Sequence, residues 1–206
     1  MFGTENTFLD RARYPKGRKT LQAILDATYE LIIAEGPTAA SQNAIAERAN
    51  VTQSAVRHYF PTKEDLLVAF FSTGIVRLQS LLRAKLAEVC DDPRAQLLEI
   101  ATLHYSRISE VDNALFFETM AFWRRNPQYS DIRDRWYADM CRCYQQLIQQ
   151  MHPDWEGVRC ADVAFQVLTL ILGGWVTAGH SRPIYKERTQ AELTATLLRG
   201  VERLID

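Results

Sequence analysis

Prolines at positions 37, 61, 93, 127, 153 and 183 punctuate this sequence, and between them the apolar residues recur with the period of a helix. Proline lacks a backbone N–H and disfavours helical geometry in the residue before it, so each one marks a helix end or the first turn of the next helix. No stretch alternates apolar and polar residues in the manner of a half-buried strand. The chain is expected to be all-α, with about nine helices.

From Lys19, the residues Leu21, Ile24, Leu25, Leu31 and Ile32 share one helical face, which Gly36-Pro37 closes. The first nine residues lack periodicity and are expected to form a loose arm. Ser41 is a suitable N-cap for a short helix carrying Ile45, Ala46 and Ala49. Asn50-Val51 interrupts it, Thr52 caps a third helix over 53–59, and Pro61 ends that one. Thr62 with Glu64 and Asp65 opens a fourth, whose apolar stripe runs from Leu66 to Leu86. Asp91-Asp92-Pro93 starts the next, and further helices are expected at about 93–110, 112–125, 130–151, 156–180 and 187–205.

With 206 residues the chain can bury a core without staples, as one large or two modest domains. The four cysteines, Cys90, Cys141, Cys143 and Cys160, are scattered and expected to be reduced, buried and intracellular, with a cytoplasmic location implied by the absence of an apolar leader. Cys141 and Cys143 point to different helix faces, so no metal site is expected. The longest apolar run, Val163 to Gly179, contains Gln166 and Gly173-Gly174; it is expected to be a buried core helix, with no membrane association. A net charge of −1 argues against a chain that binds polyanions with its whole surface. The placement of charge says more: Arg11, Arg13, Lys16, Arg18 and Lys19 lie together with no acid among them, a local basic arm ahead of the first helix.

Ser41 to Tyr59 reads as helix, four-residue turn, helix, the arrangement of a DNA-binding helix-turn-helix. With Val56 at 0° and steps of about 100° per residue, Phe60 and Tyr59 join it on the inward face, and Ser54 and His58 lie nearly opposite. Arg57 and Ala55 flank them, and Gln53 stands at the exposed start. Arginine can bridge two guanine acceptors, glutamine can pair with adenine, and Ala55 can meet a thymine methyl. The helix starts at Ser41-Gln42 and Thr52-Gln53 offer N–H groups to phosphates, with Lys63 adding charge and the basic arm lying along an adjacent minor groove. The expected DNA contacts are Lys16, Arg18, Ser41, Gln42, Thr52, Gln53, Ser54, Ala55, Arg57, His58, Tyr59 and Lys63.

The run Ala44-Ile45-Ala46-Glu47-Arg48-Ala49-Asn50-Val51-Thr52, followed by Val56-Arg57-His58-Tyr59-Phe60-Pro61-Thr62-Lys63-Glu64-Asp65-Leu66-Leu67, resembles the N-terminal signature of the TetR family over about residues 18–70. Gly36 stands where the family has a glycine after its first helix. Asn50 replaces the usual glycine of the turn, and asparagine is the next best residue for left-handed backbone. Arg57 stands where many members carry tyrosine. The resemblance implies a DNA-binding domain over 1–62 and a helical ligand-binding and dimerisation domain over 63–206, whose last two helices pair with a second copy. Val163, Val167, Ile171, Leu193 and Leu197 are the expected interface residues.

Asp92 to Leu97, Ala121-Phe122-Trp123 and Leu170 to Trp175 resemble the branch that includes choline-responsive BetI repressors. Aromatic faces near an acid can hold a cation, and a helical bundle binds small molecules between its helices. His104, Tyr105, Phe117, Glu118, Trp123, Tyr144 and Trp175 are the expected effector-binding residues; His152 and His180 are read as helix-end caps. The function implied is a ligand-responsive transcriptional regulator, a repressor that binds a palindromic double-stranded operator as a homodimer and is released by a small-molecule effector. The alternative is a helical ligand-binding or interaction protein without specific DNA function. The sequence holds no His-Glu-x-x-His, phosphate-cradling Gly-Lys-Ser/Thr loop, Gly-x-Ser-x-Gly elbow or paired Glu-x-x-His, so neither catalysis nor a cofactor is expected.

Overall fold

The breaks read at Gly36-Pro37, Asn50-Val51, Pro61, Pro93, Asn126-Pro127 and His152-Pro153 correspond to helix boundaries in the computed structural model, which describes residues 8–88, 90–109, 113–127, 130–178 and 187–206. A 3-10 turn, Phe8–Arg11, precedes α1 (Pro15–Glu35), α2 (Gln42–Arg48), α3 (Gln53–Tyr59), α4 (Lys63–Leu86), α5 (Pro93–Ser109), α6 (Asn113–Arg125), α7 (Ser130–Met151), α8 (Gly157–Ala178) and α9 (Gln190–Ile205). The fold is all-α, with no strand among the described residues. The break at Arg182-Pro183, His180 and the first seven residues lie outside the described residues.

The caps explain these limits. Ser41 Oγ accepts from the Ala44 N–H at 3.1 Å, and Thr52 Oγ1 from the Ala55 N–H at 3.1 Å, satisfying donors that the first turns of α2 and α3 leave free. Thr62 and Asp65 cap one another's backbone N–H groups at the start of α4, and Asp92 accepts from Arg94 and Ala95 at the start of α5. Thr189 and Glu192 form a full capping box on α9. Gly36 ends α1 at φ 83°, and Asn50 turns α2 into α3 at φ 52°, the left-handed geometry that asparagine tolerates.

The N-terminus departs from expectation. Helix α1 begins at Pro15, which sits in its first turn where the missing N–H costs nothing, so Lys16, Arg18 and Lys19 are helical and the basic segment is not a free arm. Phe8 is core, at 1% exposure. Apolar side chains of this length were legible; a single phenylalanine with no periodic neighbours was not.

Two compact units are present. The first joins Met1–Arg77 to Ala114–Ser130; Leu21, Ile24, Ile32, Ile45, Val56, Phe60 and Leu66 form its centre, and the Phe71 and Phe122 rings pack at a tilt with centroids 4.7 Å apart. The second joins Leu78–Asn113 to Asp131–Asp206, with Leu97, Ile100, Ile148, Cys160, Val167, Ile171 and Val201 inside. There α8 approaches α5 and α9 closely because a Cβ at Gly174 would lie 2.9 Å from the Tyr105 ring and 3.0 Å from Leu197. His152 Nε2 lies 2.7 Å from the Ile205 carbonyl, which secures the end of α9 in the capping role expected of it. Cys143 and Cys160 are buried as expected, but Cys90 is exposed.

The expectation for α8 also needs correction. Gly157–Thr177 is long and apolar enough to cross a membrane, and only 28% of that span is buried within the chain. Val158, Phe165 and Val176, at 64%, 62% and 43% exposure, recur at helical spacing along its outer side. It is therefore half a core helix and half an uncovered apolar face.

Candidate nucleic-acid interface

Helix α3 is a seven-residue helix whose inward side chains, Val56 and the following Phe60, are fully buried. That burial fixes which side faces out. Ser54, Arg57 and His58 are exposed on it, with Gln53 and Ala55 half-buried beside them. The outward face is polar and cationic over a length that fits a major groove.

Several residues expected to meet DNA have other partners. Gln42 spans from α2 to the end of α3: its Nε2 donates to the Phe60 carbonyl at 2.7 Å and its Oε1 accepts from Arg57 Nε at 3.4 Å. Lys63 Nζ donates to the Thr38 carbonyl at 2.8 Å, and partial burial lowers its pKa, so it closes the loop after α1. Tyr59 is half-buried with its hydroxyl against α1, where a Cβ on Gly17 would lie 2.8 Å from it. Arg18 reaches the Ala12 carbonyl at 3.5 Å, whereas Lys16 is exposed on the first turn of α1. Ser41 and Thr52 are exposed and use their hydroxyls as caps.

The expected effector residues divide between the units. Phe117, exposed on α6, Glu118 and fully buried Trp123 belong to the first; His104, Tyr105, Tyr144 and Trp175 belong to the second. His104 Nδ1 and the Tyr144 hydroxyl are 3.0 Å apart, and the His104 ring meets Trp136 edge-on at 5.9 Å. His104 Nε2 and Trp136 Nε1 are buried without a hydrogen-bond partner among the described residues. Burial pushes the His104 pKa down to about 3 and the Tyr144 pKa well up, so both stay neutral.

No carboxylate stands among the four second-unit candidates. Among the described residues of that unit, the buried carboxylate Asp139 is bound by Arg83 at 3.1 Å and by Arg142. An open cleft of about 430 Å³, lined by Leu86, Gln96, Gln146, Leu147, Gln149 and Gln150, contains none of the expected residues. The Gln96 and Gln149 amides there already cap main-chain carbonyls at the ends of α4 and α7.

Of the expected interface residues, Val167, Ile171 and Leu197 lie in the chain's own core, and Val163 and Leu193 are half-buried. On α8, Val167 and Ile171 face the chain's own core while Phe165 is exposed. Both of its faces are apolar, so hydrophobicity alone does not tell core from surface.

The family model described as "Bacterial regulatory proteins, tetR family" matches residues 24–70, which hold the capped turn and α3. A BetI transcriptional regulator of Burkholderia thailandensis is 24% identical over 153 residues, 74% of this chain and 78% of that protein. One from Yersinia pestis is 29% identical over 62% of this chain and 68% of its own. Among solved structures, the fold is shared with FadR of Bacillus subtilis in complex with stearoyl-CoA, at a TM-score of 0.68 and 18% identity over 90% of this chain and 97% of that one. It is also shared with GusR of Salmonella enterica, at a TM-score of 0.68 and 19% identity over 94% and 99%. The sequence signature, the Asn50 turn with its two hydroxyl caps and these similarities converge on one segment: residues 24–70 carry the helix-turn-helix of the TetR family of bacterial regulatory proteins.

Proposed function

We propose that this protein is a cytoplasmic repressor that reads a palindromic operator as a homodimer and leaves it when a small effector binds. The observation that carries the reading is the two-sided character of α3: Val56 and Phe60 are fully buried, while Ser54, Arg57 and His58 stand clear. Such a helix offers hydrogen-bonding groups to base edges at no cost to the core. Residues 1–62 form the reading domain in this proposal, and 63–206 the effector and dimerisation domain.

The uncovered apolar line on α8 supports pairing with a second copy, since a symmetric contact buries it and sets two recognition helices on half-sites. For the effector, the buried His104 Nε2 and Trp136 indole N–H support a largely apolar molecule with a polar group held by α5 and α7. The proposal includes no catalytic role.

The test is fluorescence anisotropy against a duplex that the protein itself selects from a randomised pool. Tight binding to it, and binding at least about a thousandfold weaker to a scrambled duplex at physiological salt, is the expected result. Equal affinity for both overturns the reading.

A further inference from the structure

Helix α3 spans seven residues, too few to hold a helical shape by itself, and its last carbonyls have no partner within the helix. Both carbonyls at its end are capped from outside. Arg11 Nη1 donates to the Tyr59 carbonyl at 2.8 Å, and Gln42 Nε2 donates to that of Phe60. The Arg11 guanidinium also sits 4.6 Å over the Phe60 ring, where its positive charge meets both a π face and the negative end of α3.

Phe8, one turn earlier, completes a chain of contacts. Its ring packs on Phe60 with centroids 4.5 Å apart, and its backbone N–H donates to Thr73 Oγ1 on α4 at 3.3 Å. Thr73 is itself buried and bonded to the Ala69 carbonyl. Across the same helix end, Gly17 admits the Tyr59 hydroxyl against α1. Besides Gln42, the far end of the recognition helix is therefore held by elements outside the helix-turn-helix.

We propose that the turn Phe8–Arg11 is a brace for α3, and that Arg11 is a positioning residue that acts on operator binding through the Tyr59 carbonyl instead of contacting DNA phosphate. This rests on the operator-reading function proposed above. Base contacts tolerate errors well under an ångström, so releasing one end of so short a helix weakens every contact it makes. One nitrogen and one face of the Arg11 guanidinium are engaged inward, in contrast to exposed Lys16 on the next turn.

Salt dependence separates the two roles, because each phosphate contact adds about 0.9 to the slope of log affinity against log salt concentration. The full-length chain and its variants are titrated with the selected duplex across a salt series. Arg11→Met is expected to bind about tenfold more weakly with the slope of the wild type, and Arg11→Lys to recover most of the affinity. Lys16→Ala is expected to lower the slope by about one. Phe8→Ala, in the same brace, is expected to behave like Arg11→Met. Arg11→Gln, which shortens the donor, is read in the same way and covers the case in which Arg11→Met does not fold. A slope lowered by about one in Arg11→Met or Arg11→Gln makes Arg11 a phosphate contact and overturns the proposal, as does wild-type affinity in both. A wild type that binds scrambled DNA equally well overturns the operator reading and this assignment with it.

Discussion

The side-chain amide of Gln42 accepts a hydrogen bond from Arg57 Nε at 3.4 Å, so a residue of α2 aims the outward-facing cation of α3. The other end of the same amide caps the Phe60 carbonyl. Arg57→Ala is expected to lose about 1–3 kcal/mol of operator affinity and to relax selection at one base position. Gln42→Leu leaves Arg57 in place but unguided, and its affinity is expected to fall by a smaller factor. Selection from a randomised duplex pool checks both variants.

Asn50 holds φ 52° between α2 and α3, where a β-branched side chain meets the steric penalty of left-handed backbone. Asn50→Val is expected to lower stability by about 1–2 kcal/mol, and Asn50→Gly to change it by a few tenths. A urea melt monitored by circular dichroism measures the difference. Equal losses in the two variants would place the role of Asn50 in its side chain and not in its backbone.

Asn50 also shows why the helix-turn-helix was legible from sequence. Its turn, its two hydroxyl caps and its inward Val56 and Phe60 are local signals, each needing only a few consecutive residues to be interpreted. What the sequence hid is long-range. Lys63 closes a loop through Thr38, Phe8 reaches Thr73, and α8 buries one of two apolar sides, and none of these partnerships leaves a periodic trace. The basic residues from Arg11 to Lys19 read as an arm because a cation count does not show that Arg11 has a carbonyl to cap.

His104 is fully buried and its pKa is pushed down to about 3, against about 6.5 in an unfolded chain. Between those values the unfolded state takes up a proton that the folded state refuses. Stability is therefore whole above about pH 6.5 and falls as the pH is lowered toward 3, by up to about 1.4 kcal/mol per pH unit from this group. His104→Gln is expected to flatten that part of the profile while keeping a partner for Tyr144. Urea midpoints at a series of pH values test it; an unchanged slope in the variant would assign acid sensitivity to other groups.

Phe165 stands 62% exposed in the middle of the α8 line, between Val158 and Val176. In a two-fold pairing each such residue is buried twice, once per copy. At about 1.5–3 kcal/mol for each large apolar side chain removed from water, the two Phe165 rings alone contribute on the order of a hundredfold or more in dimer affinity. Phe165→Glu removes that gain and buries a charge in each half of the contact. Val167→Ala, by contrast, opens a cavity in the core of each copy and is expected to lower thermal stability with little effect on self-association. Sedimentation across a concentration series distinguishes them: a dimer for the wild type and Val167→Ala, and a monomer for Phe165→Glu with an unchanged helical spectrum. A Phe165→Glu protein that remains dimeric would place the contact elsewhere and leave the outer face of α8 without its proposed partner.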